Sequence, residues 1–508
     1  MLGTCPDKGQ VGNLARTITL TCLLLAARLP STRDAMAEDQ PLPERQRGGA
    51  TVPAGRLFTV CELYAVGHFG NSYEVLGTNE LRQVLAEAAS WGFNRYGDWF
   101  DMDDCKDPFA GGHTYGLGDA LWDSKKVHYG VAQDLGLSLD LTVTPNHVYL
   151  DQCLPELLAT KGSRVQGQLI CPSNPQAHEA ILKDYENIFA DLARSGIRLT
   201  SINTLPYDFG GCRCEKCSPW ILTYARLAHE IYAIARKHHP KIKVDMIGWW
   251  WTAEEHRLLA EWADRQAPGW IDHMYLHLPY GATKVADVIL PKGCQRAAFV
   301  HISYAEQASP RDMYGHLGPV IAAARLQQTV TDLRAQGVTA LDAYSEGVFD
   351  DVNKAILAGL ASGQYRTSDE VLQVYARRYF GVDADTARLW AAWLKAWGKP
   401  FDVDTRQSAA TLEMLLKKTP KGGWRLRQWE LKQQLFALHH EIGSGTKWTP
   451  ERLAAVERFW AVQEELQRGL WGLAPQRHIF GRRYTPLAWY ASWAKFTAAR
   501  AESIGKEQ

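Results

Sequence analysis

The segment Leu205-Pro206-Tyr207-Asp208-Phe209-Gly210-Gly211-Cys212-Arg213-Cys214-Glu215-Lys216-Cys217 combines a carboxylate, a glycine pair and three thiols spaced Cys-x-Cys-x-x-Cys. A carboxylate on such a loop can act as acid, base or nucleophile. Thiols at this spacing can fix the loop in two ways. One is a disulfide, for which Cys214–Cys217 is open while Cys212 and Cys214 are too close to pair comfortably. The other is a structural zinc held by Cys212, Cys214 and Cys217 with a fourth ligand from elsewhere, such as Cys171. Free thiols are the third reading, and no single cysteine stands beside a base that would activate it. A second acid, Glu346, lies in Tyr344-Ser345-Glu346-Gly347 after the apolar run Thr339-Ala340-Leu341. Asp350 and Asp351 stand closer to the following helix, so capping falls to them and Glu346 is left for chemistry.

Both acids need a frame. Strand-like runs occur at 57–64, 93–100, 137–145, 199–208, 243–251, 273–280, 296–305 and 339–347, with amphipathic helical patterns between most neighbours. Gly92, Gly136, Gly196 and Gly337 close helices just before the next strand. Eight alternations predict an α/β fold, a (β/α)8 TIM barrel over 56–365. A doubly wound sheet would announce itself by a Gly-rich phosphate loop after the first strand, where Cys61-Glu62-Leu63-Tyr64 stands instead. Beyond residue 365 the strand signal stops, and an α-helical C-terminal domain is expected over 366–508. Trp390, Trp393 and Trp397 fall at i, i+3 and i+7, the spacing of a buried helix stripe.

In a barrel of this kind the strand ends share one mouth. Collected there, the candidate substrate-binding residues are Glu62, His68, Arg95, Asp98, Asn146, His147, Trp249, Trp251, His277, His301 and Tyr344, with Asn71, Asp101, Tyr280 and Tyr304 beside them. Glu346 and Asp208 are the candidate catalytic pair, with Glu62 and Asp98 as substitutes. Carboxylates, imidazoles and aromatic rings are what a sugar site requires: acids for the glycosidic bond, rings for stacking, polar groups for hydroxyls. Strand alternation would send Trp249 and Trp251 to one face and Trp250 to the other. Strands four and eight face each other across a barrel, so a water between Asp208 and Glu346 would favour inversion of configuration.

Composition narrows the partners. Among 508 residues, 56 basic and 56 acidic side chains balance, leaving no basic excess for nucleic acid. No segment has the ~18 uncharged apolar residues of a membrane span. Nineteen tryptophans suit both sugar stacking and core packing. At the start, Lys8 and Arg16 precede the apolar run 18–27, and Ala35-Met36-Ala37 offers a small-x-small cleavage site, the pattern of a secretory signal. Arg28, Arg33 and Asp34 interrupt that pattern, and a start at Met36 would instead leave the chain in the cytoplasm. Residues 1–55 are thus expected to be a signal and a polar lead-in, and the chain secreted or periplasmic.

Asp208-Phe209-Gly210-Gly211-Cys212-Arg213-Cys214-Glu215-Lys216-Cys217 resembles the acid-plus-cysteine loop of barrel proteins related to α-glucuronidases and β-N-acetylhexosaminidases. The segment 343–360, Ala343-Tyr344-Ser345-Glu346-Gly347 onward, is similar to the late-strand Glu segment of α-glucuronidase-like glycoside hydrolases. The resemblance spans about residues 56–380 and implies glycoside hydrolysis; its motifs fix no substrate, a uronic-acid- or amino-sugar-containing carbohydrate is one that would suit it, and no cofactor is expected to be required. It departs at Phe209, where hexosaminidases that use the substrate's acetamido group carry a Glu after the Asp. Two other classes fit the same mouth. A metal-dependent hydrolase of the amidohydrolase type would use His147, His277 and His301, although it lacks the His-x-His after the first strand. A non-catalytic carbohydrate-binding barrel would keep the rings and not the turnover.

Overall fold

Eight parallel strands close into a barrel in the order β1 (Val60–Ala65), β11 (Ala340–Ser345), β10 (Gln295–His301), β9 (His273–His277), β8 (Lys243–Gly248), β7 (Ser201–Thr204), β3 (Ser138–Val143) and β2 (Arg95–Phe100). The computed structural model describes residues 55–66, 73, 76–100, 118–148, 154–163, 168–206, 210–308, 312, 317–420, 422–443 and 449–469. The expected leader up to residue 54, His68, Asn71, Asp101 and Asp208 lie outside the described residues, as does the tail after 469. Helices α1 (Thr78–Trp91), α2 (Gly118–Asp134), α3 (Pro175–Arg194), α4 (Trp220–His238), α5 (Ala253–Gln266), α6 (Ala323–Ala335) and α7 (Asp351–Ala361) alternate with the strands, except that β9 runs to β10 without a helix. The fold is a (β/α)8 barrel followed by α-helices. No helix among the described residues is long and apolar enough to cross a membrane.

Local chemistry starts these helices where they are needed. Asn174 accepts from the amides of Gln176 and Ala177 and Pro175 begins α3, while Thr252 and Glu255 form a reciprocal capping box on α5. One element was not legible in the sequence. Between β3 and α3 the chain adds a small antiparallel sheet, β4 (His147–Val148), β5 (Leu158–Ser163) and β6 (Gln168–Ile170). Its Leu169 packs with Tyr64, Trp99, Leu205 and Phe299, so the sheet covers part of the barrel's upper end.

The barrel interior is charged. Glu62, Arg95, Asp140, Asp245 and Asp342 point inward and are almost wholly buried. The Arg95 guanidinium lies 3.3 Å from Glu62, 3.6 Å from Asp140 and 2.7 Å from Asp245, and donates to Ser201 Oγ at 2.6 Å and Tyr275 Oη at 3.0 Å. One cation cannot compensate four buried carboxylates, so protons must. Burial and the neighbouring Asp140 push Glu62 and Asp342 well above the usual carboxylate range. Burial pushes Asp140 up to about 6 even beside Arg95. Burial also acts on Asp245, but Arg95 and the His273 Nδ1 at 2.9 Å outweigh it and hold that carboxyl below its ordinary value. Gly97 makes room for this layer: a Cβ on it would lie 1.9 Å from Glu62 Oε1 and would displace that carboxyl.

Beyond the barrel run α8 (Ser368–Phe380), α9 (Ala384–Ala396), α10 (Thr405–Leu416), α11 (Gly423–Ile442) and α12 (Pro450–Glu464). Trp390, Trp393 and Trp397 are buried, and rings of Trp429 and Phe436 from α11 pack on them. An ionic knot ties these helices to the barrel. Arg425 of α11 pairs with Glu87 of α1 and, at 2.8 Å, with Asp351 of α7, while Tyr375 of α8 donates to Asp351 at 2.6 Å. Burial raises Asp351, yet Arg425 and Tyr375 hold it below its ordinary value.

Three substitutions test these buried charges. Asp245→Asn should cost about 3 kcal/mol or more, because it strips Arg95 of its closest ionised partner, whereas Asp342→Asn should leave stability at pH 7 unchanged or raised. Carboxyls with raised folded-state affinity bind more protons folded than unfolded, so their contribution is lost as pH rises from about 4 through the Asp140 value of about 6. Asp342→Asn should therefore flatten the fall in stability across that window, read by urea unfolding at pH 5 and 7.5. Arg425→Met should cost about 3–5 kcal/mol by leaving Glu87 and Asp351 buried without their cation, checked by the same unfolding curves.

Candidate functional site

Glu346 leaves the last barrel strand at its carboxyl end, half-buried. Tyr344, two residues earlier on the same inward face, donates its hydroxyl to Glu346 Oε1. The Glu346 amide donates to Ser303 Oγ at 2.9 Å and to Asp350 Oδ2 at 3.3 Å. Asp350 in turn accepts from Ser303 Oγ at 2.6 Å and Ser345 Oγ at 3.0 Å and pairs with buried Lys354. Gly347 adopts φ 129°, a conformation open to glycine, which lets the chain turn from the strand into the next helix directly behind Glu346. The sequence suggested Asp350 as a helix cap. It makes no side-chain cap bond, and its carboxylate is spent on the loop that carries Glu346.

Beside Glu346 stands a wall of rings from the neighbouring strands. His301 (β10) lies 5.3 Å from Tyr344, 5.4 Å from Trp249, 5.7 Å from His277 (β9) and 4.3 Å from Tyr280, between ring centroids. Trp249 packs edge-on against His277 at 4.4 Å. Trp250 stacks on His277 with its planes 14° apart and is 65% exposed. Burial pulls His277 down to about 4, and burial with the nearby His277 and Arg325 takes His301 well below its ordinary value. Both imidazoles are therefore neutral at pH 7, each offering one donor and one acceptor. His301 is 2% exposed, and neither of its ring nitrogens has a hydrogen-bond partner among the described residues. The same holds for His277 Nε2. Buried polar atoms are rarely left so without a ligand or water to meet them.

Several sequence candidates lie elsewhere. Glu62 and Arg95 belong to the charged layer beneath the rings of Tyr64 and Tyr344, and are buried there. Asp98 is on the outward side of β2, since Gly97 faces in; it pairs with Lys125 of α2 at 3.1 Å between strand and helix. Neither substitute acid reaches the mouth. Trp251 is turned away as well, against Trp220, Tyr224 and His256. Alternation would place it with Trp249, but β8 ends at Gly248 and Trp250 takes a left-handed φ of 59°, which breaks the period of two. Asn146 donates to the Ile170 carbonyl at 2.7 Å and His147 pairs with Leu169, so both build the small sheet. Among the described residues the groups of three or more metal-ligating side chains are Cys171 with Cys212, Cys214 and Cys217, and Asp245 with Asp272 and His273; His147, His277 and His301 form none. Sequence reasoning missed Ser303, Asp350 and Lys354 as supports of Glu346, because their roles depend on which strands are neighbours.

No family model and no curated protein matches the chain. Among solved structures it is similar to a GH138 enzyme targeting pectin rhamnogalacturonan II, at 9% identity and a TM-score of 0.47, over 89% of this chain and 68% of that one. It is also similar to CpGH84B, at 9% identity and a TM-score of 0.44, over 88% of this chain and 77% of the other. A third is GH5_18 from Bifidobacterium longum subsp. longum in complex with Manb1-4GlcNAc, at 10% identity and a TM-score of 0.39, over 60% of this chain and 78% of that one. These are likenesses of architecture.

Proposed function

We propose that the chain is a glycoside hydrolase whose barrel mouth cleaves a glycosidic bond with Glu346 and Asp208 as its two carboxyl groups. The observation that carries the reading is the Glu346 carboxyl, braced by Tyr344, beside a wall of Trp249, Trp250, His277 and His301 in which both His301 ring nitrogens and His277 Nε2 have no partner among the described residues. Glycoside cleavage needs one carboxyl to protonate the leaving oxygen and another to activate water or attack carbon. Indole faces suit the apolar faces of a sugar ring, and neutral imidazoles suit hydroxyls, which both donate and accept. Asp208 is assigned as the second acid from its place in the sequence after β7.

Release of sugar from a panel of oligosaccharides and aryl glycosides, uronides and N-acetylhexosaminides included, tests the activity. Glu346→Gln should lower kcat by about 10²–10⁴-fold, the range for a positioned acid or base, and leave KM nearly unchanged. Near-normal turnover by this variant would refute the assignment. Tyr344→Phe should reduce kcat with KM held, because it removes the hydroxyl that orients the acid.

The exposed indole separates binding from chemistry. Trp250→Ala should raise KM about fivefold, the equivalent of ~1 kcal/mol for one stacking face, with kcat preserved. Steady-state kinetics on the substrate found in the panel reads both numbers.

A further inference from the structure

Four cysteines from two separate segments meet at the rim. Cys171 follows β6, while Cys212, Cys214 and Cys217 lie between β7 and α4. Their four sulfurs all lie within 4.8 Å of one another. Cys171 Sγ is 3.6 Å from Cys212, 3.8 Å from Cys214 and 3.7 Å from Cys217. A disulfide needs a sulfur–sulfur bond of about 2.0 Å, and none of the four is paired. Four thiolates around one zinc ion, with Zn–S bonds of about 2.3 Å, form a tetrahedron with edges of about 3.8 Å. Cys171 stands at that separation from each of the other three. Disulfide geometry would instead draw two pairs together and leave the pairs apart.

We propose that Cys171, Cys212, Cys214 and Cys217 bind one zinc ion as a closed tetrathiolate. The proposal goes beyond the glycosidase reading and does not depend on it. On binding, four thiols release four protons to solvent and four Zn–S bonds form, giving a site of net charge −2 with no oxidation or reduction. Donors stand ready to offset that charge. The Thr160 amide points to Cys212 Sγ at 3.3 Å, and Ser173 Oγ lies 3.0 Å from Cys217 Sγ, where its hydroxyl can donate to a thiolate. Cys214 and Cys217 are joined by a backbone turn in which the Cys217 amide donates to the Cys214 carbonyl at 3.0 Å, the local geometry that lets one ion be gripped twice by a short segment. With four protein ligands the ion keeps no open position, so its work is to hold structure. It clips the small sheet to the loop between β7 and α4. Two further links brace the same junction: the Arg213 amide donates to the Thr160 carbonyl at 3.2 Å, and Asn146 holds Ile170, the residue before Cys171.

The test uses the full chain purified from zinc-supplemented culture. Elemental analysis should return one zinc per chain, and exchange into cobalt should give the thiolate-to-cobalt charge-transfer absorption and visible bands of a tetrahedral tetrathiolate. Cys171→Ser and Cys214→Ser should each abolish that spectrum, whereas Cys294→Ser, remote from the cluster, should retain it. If the variants fail to fold, the wild-type chain still decides: zinc released by a mercurial reagent should lower Tm, and thiol plus zinc should restore it. Zinc-free protein, iron in place of zinc, disulfides among these four cysteines on non-reducing peptide mapping, or a cobalt spectrum unchanged by Cys171→Ser would each overturn the proposal. None of these readouts uses sugar turnover, so failure here and failure of the glycosidase reading are separate results.

Discussion

One buried guanidinium organises the barrel. Arg95 of β2 meets side chains of β1, β3, β7, β8 and β9 within a single layer. A planar group with five donors can satisfy partners on several strands at once, which no apolar residue or lysine could do in that geometry. The cost is severe, because desolvating a cation and four acids outweighs simple ion pairing. The layer resolves it by leaving Asp245 ionised and pushing Glu62 and Asp342 toward their neutral forms. Gly97 is the steric counterpart of that arrangement, since it surrenders its side-chain space to Glu62.

What stands above this layer depends on it. Tyr64 and Tyr344 pack at 5.7 Å as a lid on the charged layer, and Tyr344 at once orients Glu346. The same residue thus joins the floor of the mouth to its proposed acid. On the other side of Glu346, the Ser303–Asp350–Lys354 network holds its backbone amide, so the carboxyl is fixed from both its side chain and its main chain. The imidazoles of His277 and His301 gain their neutrality from burial among indole and phenol rings.

The rim and the C-terminal helices play different parts. On the β7 side the small sheet meets the segment before α4, where the Arg213 amide donates to the Thr160 carbonyl and Cys171 stands among Cys212, Cys214 and Cys217. The helices after α7 are anchored by Arg425, whose guanidinium pairs with Glu87 and Asp351 and lies 3.8 Å from the Tyr379 ring centre. They stabilise α1 and α7 from outside and contribute rings to their own core through Trp390, Trp393 and Trp397.

The strand–helix alternation, the Trp stripe and the candidacy of Glu346, Trp249, His277 and His301 were legible in the sequence. Each rests on periodicity or on position at a strand's end, and both are local properties of the chain. Asp98, Trp251 and Glu62 were misplaced for a common reason. Inward or outward direction at a strand end changes with one residue of register or one left-handed turn, as at Trp250, and depth within the barrel follows from the stagger of neighbouring strands. The small sheet escaped notice because its strands are short and its pairing is between segments separated by loops. Contacts between distant segments were decided by the tertiary structure alone: Cys171 with the Cys-x-Cys-x-x-Cys loop, Arg95 with three acids, Asp350 with the amide of Glu346. Sequence spacing names the groups that can react or ligate; only closure of the barrel sets the distances at which they do.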